Sequence, residues 1–324
     1  MMANPVVEAV WFCLNCHIAF RGVPMRRALV GLLTGVAFGV ISQQIASAAD
    51  MPVKAPPVVA AAYSWTGWYI GGNAGGVVGM TEPGLAIDDS LGRYFTFGPG
   101  SGVLTEYIAA VGGGHFRNNG FTGGGQIGRL EQSGSAVWGI EADFEYFNPK
   151  GSNSVTATLP SPAFALPGPT LVPFTVTNSV SGSWLSTVRA RFGIARDNWL
   201  FYGTVGAAFA RVSFSATYAD ATTAPPQVSA SLRSNFSATQ TMWGIAAGGG
   251  AEYAFGGNWS LRAEYLYVDL RHFTGSTVAF PTVGTVPTAA QCPPSAGAGF
   301  CSVFTYDVRL REHIGRIALN YKLY

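Results

Sequence analysis

Lysine is nearly missing: three in 324 residues, at Lys54, Lys150 and Lys322, and charged residues of all kinds make up 11% of the chain. Water-soluble domains carry about 25% charged residues, so a surface bathed by water on every side is excluded. Long apolar runs are also missing after residue 45, where Gly, Ser, Thr, Asn or a charge interrupts every hydrophobic cluster. A membrane-crossing helix needs about 20 consecutive apolar residues, so helical spans are excluded from that part. Lipid then leaves one architecture, a closed barrel in which no backbone edge goes unpaired. A basic excess is missing as well. From Ala49 onward, once Arg21, Arg26, Arg27 and Glu8 are set aside, 16 Lys+Arg face 16 Asp+Glu. Nucleic acid is therefore not expected as a partner.

Present in their place are 42 glycines, 13% aromatics and one apolar run near the start, Ala28 to Ile41. Met25-Arg26-Arg27 precedes that run and Ala46-Ser47-Ala48 follows it, the layout of a secretory signal peptide cleaved after Ala48. A single anchoring helix is the other reading, but the run is short and no stop-transfer charges follow. Residues 25–48 are read as the signal, with Met25 as the start and 1–24 as an upstream extension outside the exported protein. Residues 49–63 carry three prolines and read as an extended periplasmic leader, and 64–324 as the barrel.

Cysteine is scarce, four in all. Cys13-Leu-Asn-Cys16-His17 matches the haem-attachment pattern C-x-x-C-H. It lies upstream of the signal, so the match is read as accidental and no cofactor is expected. Cys292 and Cys301, in a Pro/Gly/Ala-rich stretch, are disulfide candidates in an exported protein, with free thiols as the alternative.

Gly and Pro punctuation divides the rest into eight strands, about 65–79, 119–132, 136–147, 180–196, 198–218, 237–256, 258–273 and 303–324. Connections near 133–135, 197–198 and 256–258 are short, and those near 80–118, 148–179, 219–236 and 274–302 are long. That alternation predicts an all-β, eight-stranded antiparallel up-and-down transmembrane barrel with short periplasmic turns and long external loops. The fourteen prolines after the leader are all expected in the long loops.

Period-two alternation then predicts facing. Trp138, Ile140, Ala142, Phe144 and Tyr146 are expected against lipid, as are Trp184, Val188, Phe192 and Ile194 and the set Leu261, Ala263, Tyr265 and Tyr267. The interior then gathers Glu141, Asp143, Glu145, Glu252 and Glu264 with Arg189, Arg191, Arg262 and Arg316, as a salt-bridge network or an ion path. Trp138, Trp199 and Trp259 follow the short turns, and Trp65 and Trp68 open the first strand. These five are expected at the periplasmic interface, with Trp184 and Trp243 near the outer one. The last strand changes phase, with Phe304, Tyr306, Val308 and Leu310 even-numbered but Ile317, Leu319, Tyr321 and Leu323 odd. Extension beyond the bilayer is favoured over a bulge near 311–315.

With these residues laid out, the chain resembles the alphaproteobacterial outer-membrane immunogenic, opacity-like porin family of small barrels. The resemblance rests on Trp65-Thr-Gly-Trp-Tyr-Ile-Gly-Gly-Asn73, Gly120-Phe-Thr-Gly-Gly-Gly-Gln-Ile-Gly128, Trp138-Gly-Ile-Glu-Ala-Asp143 and the closing His313 to Tyr321. Two departures stand out. Leu323 and Tyr324 end the chain where the family has an aromatic two residues after Asn-Tyr. Arg129 replaces an aromatic near the lower rim and is expected to snorkel to phosphate. The resemblance implies a structural protein of the bacterial outer membrane with no catalytic residues. Expected partners are outer-membrane lipid, lipopolysaccharide and, during insertion, the barrel-assembly machinery. Alternatives are a narrow porin-like channel and adhesion through the long loops. Enzymatic action on lipopolysaccharide is disfavoured, because His115, His272 and His313 offer no nucleophile and base pair.

Overall fold

A computed structural model describes residues 63–89, 101–159, 172–220, 230–283, 286–287 and 302–323. Residues 1–62, and with them the signal, haem-like and most of the leader assignments, lie outside the described residues, as do Cys292 and Cys301. The elements are β1 (Gly67–Asp88), α1 (Ser101–Gly112), β2 (Phe116–Ser133), β3 (Ala136–Phe147), β4 (Lys150–Leu159), β5 (Val172–Arg196), β6 (Trp199–Asp220), β7 (Ala230–Gly256), β8 (Trp259–Val283), β9 (Val286–Pro287) and β10 (Ser302–Lys322). Every pairing is antiparallel, and β1 pairs both with β2 and with β10, so the sheet closes on itself. β3 and β4 together form one stave against β5, which gives eight staves.

The three short turns share one backbone solution. Gly134, Asp197 and Gly257 have φ of 61°, 55° and 52°, and each is the first central residue between Ser133 and Ala136, Arg196 and Trp199, or Gly256 and Trp259. A positive φ at that position only is the type II′ geometry, whose twist matches that of the strands it joins.

The outward face changes chemistry along each stave. On β6, Trp199, Phe201, Val205 and Phe209 are exposed apolar residues; Arg211 follows, and Ser213, Ser215 and Thr217 come after it. Above that level Ser and Thr hydroxyls bond across neighbouring staves, as in Ser179–Ser215 (2.7 Å), Ser213–Thr239 (2.7 Å), Ser154–Thr177 (2.9 Å) and Ser276–Thr305 (2.9 Å). Trp199 lies beside Tyr253 and Phe209 beside Trp243 in the ladder. Ten residues at ~3.3 Å each, tilted by about 40°, give a band about 25 Å tall, the height of a lipid-facing belt.

The inward face inverts this order. Within the band it is charged, whereas above it Phe214, Tyr218, Phe236, Phe273, Phe304, Tyr306, Val308 and Leu310 form part of one buried apolar core. β10 therefore does not change facing. Its even-numbered residues are buried from Ser302 to Asn320, first apolar and then polar. The strand does extend beyond the bilayer, but the apparent change of phase is a change in what fills the interior. The register irregularity lies between Val308 and Leu310 rather than at 311–315.

The long loops are shorter than expected because the staves continue. The 148–179 connection holds β4 and the start of β5, the 80–118 connection holds the end of β1 and helix α1, and β7 and β8 reach Ala230 and Val283. Four prolines expected in loops thus sit in strands, Pro287 in the two-residue β9, which pairs with β8 alone, and three in the longer staves. Pro83 on β1 has a ladder partner only on β10, Pro281 only on β7, and Pro173 lies one residue inside β5. Positions without a second neighbour are where a missing N–H costs least.

The ladder is interrupted twice above the band. β2 begins only at Phe116, so the end of β1 has no β2 partner beyond Thr81. α1 covers this region, packing on β1, β4 and β5, with Leu104 and Ile108 buried, Tyr107 edge-on to Phe174, and its last carbonyl accepting from Asn178 (3.0 Å). Between Arg233 and Gly244 of β7 the pairing with β8 is broken. Phe236 and Phe273 stack there with ring centroids 6.2 Å apart, and Thr277 donates to the Asn235 carbonyl (3.3 Å).

Candidate functional site

The charged lumen is the site the staves build. Alternation on β3 turns Glu141, Asp143 and Glu145 inward and leaves Ile140, Phe144 and Tyr146 exposed; β5 turns in Arg189 and Arg191, β8 Arg262 and Glu264, β7 Glu252, and β10 Arg316. All nine lumen residues named from the sequence are buried, at 5% exposure or less.

Glu141 is the hub. Its Oε1 lies 2.6 Å from Arg189 Nη2, its Oε2 lies 2.7 Å from Arg262 Nη1, and the Tyr69 hydroxyl donates to Oε2 at 2.5 Å. Arg189 also meets Asp143 (2.9 Å) and Glu264 (3.1 Å) and donates to Thr187 (2.8 Å). Arg191 pairs with Glu252 (2.9 Å) and lies over the Tyr202 ring at 3.8 Å. Arg316 joins Asp143 (3.0 Å), Glu264 and Glu145. Ser260 and Asn320 both donate to Glu252, and Asn320 accepts from Gln126, which accepts from Asn73. Thr122 donates to Glu145 and Tyr202 to Glu264.

Every stave therefore contributes at least one member. Tyr69, Asn73, Thr122, Gln126, Thr187, Tyr202, Ser260 and Asn320 were not anticipated from the sequence, although each occupies an inward position by the same alternation; a polar residue in phase with Glu141 or Arg189 was the available signal. In this connected network five carboxylates face four guanidiniums, with Glu312 buried apart from it and accepting from Asn118 (2.9 Å); removing one partner from such a buried set costs several kcal/mol. Gly128 lies between Tyr69 and Glu141 in the ladder, and a methyl group there would collide with the Tyr69 hydroxyl.

The lumen is stopped at both ends. Below the charges Trp65, Tyr69, Leu130, Val137, Leu200 and Tyr202 form a second apolar cluster, and above them lies the aromatic core. Trp65 is consequently not an interface residue. It is 4% exposed, packs against Tyr63 and plugs the lower mouth, because it precedes β1 and the chain turns inward there. Trp68, Trp138, Trp199, Trp243 and Trp259 are exposed on the outer wall, and Trp184 stacks on Phe144. Arg129 is exposed, but it is held by Glu131 (2.7 Å) and lies over Trp68 instead of standing free.

Among the described residues no group of His, Cys, Asp and Glu could hold a metal ion. His272 meets Asp307 at 3.0 Å on the outer wall, with no hydroxyl bonded to the ring among the described residues.

A closed cylinder of eight antiparallel staves, apolar outward over the height of a bilayer and charged inward, defines a transmembrane β-barrel of the bacterial outer membrane. Residues 45–285 match the outer membrane protein beta-barrel domain family, and the chain belongs to it. The 31 kDa outer-membrane immunogenic protein of Brucella melitensis is 32% identical over 232 residues, covering 69% of this chain and 81% of that protein; its counterpart in Brucella suis matches equally. Among solved structures, the outer membrane protein OprG from Pseudomonas aeruginosa covers 80% of this chain and 98% of its own at 9% identity and a TM-score of 0.33. The Ail protein of Yersinia pestis covers 77% and 99% at 11% identity and 0.26.

Proposed function

We propose that this protein is a non-enzymatic, non-conducting barrel that reinforces the outer membrane and carries its external staves and loops above the lipid. The observation that supports this reading is the filled lumen: a charge network tied to every stave, stoppered by aromatic and aliphatic side chains on both sides. An eight-stranded barrel has an interior that side chains can fill, and here Arg189, Arg191 and Arg262 are each about 1% exposed. Ions would have to displace paired, desolvated charges to pass. The test is planar-bilayer recording of the purified full chain. The reading expects no stable open level; discrete channels abolished by Arg189→Met or Glu141→Gln would assign the protein to solute transport instead. Loss of the protein is expected to raise sensitivity to detergents and large antibiotics, and an envelope unaffected by every such stress would count against a reinforcing role.

A further inference from the structure

We propose that the outer rim of the barrel holds a binding site for the phosphate groups of the outer-leaflet glycolipid, centred on Arg211 and Arg271 with Trp243 between them. Where aliphatic and aromatic residues give way to Ser and Thr on the outer wall, β6, β8 and β10 place Arg211, Arg271, Arg309 and Arg311 near the boundary. Trp184 is beside Arg211 in the β5–β6 ladder, and Arg211 is beside Thr241 on β7, two residues from Trp243. The guanidinium of Arg271 lies 4.0 Å above the Trp243 ring. Further round, Arg309 is held by Asp269 (2.6 Å) and Arg311 by Glu82 (2.9 Å).

Those two arginines are neutralised within the wall, whereas Arg211 and Arg271 have no carboxylate partner among the described residues and are exposed. Arg271 is exposed and lies over an indole, and a guanidinium held on an aromatic face keeps N–H groups for paired hydrogen bonds to a phosphate. The two arginines sit on β6 and β8, on either side of the strand that carries Trp243, a placement that suits a lipid bearing two phosphates.

Height in the membrane selects the ligand. The site lies at the upper edge of the apolar belt, where headgroup phosphates stand and where Trp anchors. The lower rim has no equivalent pair of this kind: Arg129 is engaged by Glu131. Exposed arginines without a carboxylate partner among the described residues gather at and above the upper edge, at Arg117, Arg211, Arg233 and Arg271, against Arg196 at the lower rim, an imbalance that matches the leaflet whose lipid carries the greater phosphate charge.

The test uses the full chain extracted from outer membranes, stripped of glycolipid and reconstituted in neutral phosphatidylcholine nanodiscs, with folding verified by heat-modifiable gel migration. Native mass spectrometry then measures binding of a bisphosphorylated acyl-disaccharide and of its dephosphorylated form. The proposal expects the dephosphorylated lipid to bind about tenfold more weakly or worse, as loss of one or more charge-assisted contacts implies. R211Q/R271Q should lower affinity for the bisphosphorylated lipid to a similar degree, and R129Q should leave it unchanged. The single changes R211Q and R271Q provide the same readout if the double variant does not fold. Equal binding of the two lipids by the unaltered chain, or undiminished binding by folded R211Q and R271Q, overturns the proposal.

Discussion

Replacing Arg189 by Met removes the guanidinium that Glu141, Asp143 and Glu264 share at 2.6, 2.9 and 3.1 Å, while the thioether chain occupies much of the vacated stem. The network then holds five carboxylates against three guanidiniums, and the affected groups have no solvent to turn to, since the side chains of Arg189, Glu141, Asp143 and Glu264 are all 0% exposed. Breaking a buried pair by deleting one partner costs about 3–5 kcal/mol. At the exposed pair Arg129–Glu131, where the side chains are 52% and 41% exposed, Arg129→Met should cost about 0–1 kcal/mol. Urea unfolding of the barrel in phospholipid vesicles, followed by tryptophan emission and gel migration, gives both values from midpoints at matched slope. Adding Glu141→Gln to Arg189→Met removes one uncompensated charge, so the double change should cost less than the sum of its parts, by about 0.5–3 kcal/mol. An Arg189→Met midpoint indistinguishable from that of Arg129→Met would show that the lumen charges contribute nothing to stability, and the reasoning would fall.

Three further outcomes follow from the geometry. Gly128→Ala should destabilise the barrel by about 1–3 kcal/mol through overpacking against Tyr69; a neutral result in the same unfolding assay would mean that Tyr69 is free to move. Amides of β7 between 234 and 243 that point toward β8 should exchange hydrogen much faster than those pointing toward β6, because the first set lacks a ladder and the second has one; uniform protection along β7 would contradict the open seam. Asp197→Gly should stabilise the turn by about 1 kcal/mol, since φ of 55° is strained for a residue with a Cβ; a drop in the unfolding midpoint would point to a role for the aspartate side chain.

Much of the barrel was readable from period two alone, because lipid and lumen demand opposite chemistries and every second residue must satisfy one of them. Leu261, Ala263 and Tyr265 could only face out if Arg262 and Glu264 faced in. The same rule could not follow the chain above the bilayer. There both solvents change, so Phe304 and Tyr306 turn inward in phase with Arg316, and an unbroken strand reads as a change of phase. β4 escaped notice because Ser154, Val155, Thr156, Ala157 and Thr158 alternate without a charge or an aromatic, and its bonds to β5 span a connection rich in proline. α1 has Leu104 and Ile108 on one face but lies in a segment otherwise read as loop. Trp65 was misplaced because a tryptophan just outside a strand carries no alternation to fix its direction. The partners of the lumen charges, Tyr69 and Tyr202 above all, became evident only once eight inward faces met in space.

Ring closure is the claim on which the filled lumen and its sealed ends depend. It can be read directly by placing Cys at Ala74 and Ile317, partners in the β1–β10 ladder, with Cys292 and Cys301 changed to Ser. Oxidation in intact outer membranes should yield a chain that, once denatured, migrates as a covalent loop, as should a control pair at Val205 and Ala247 across β6 and β7. Cross-linking of the control pair with none between 74 and 317 would mean that the first and last strands do not meet.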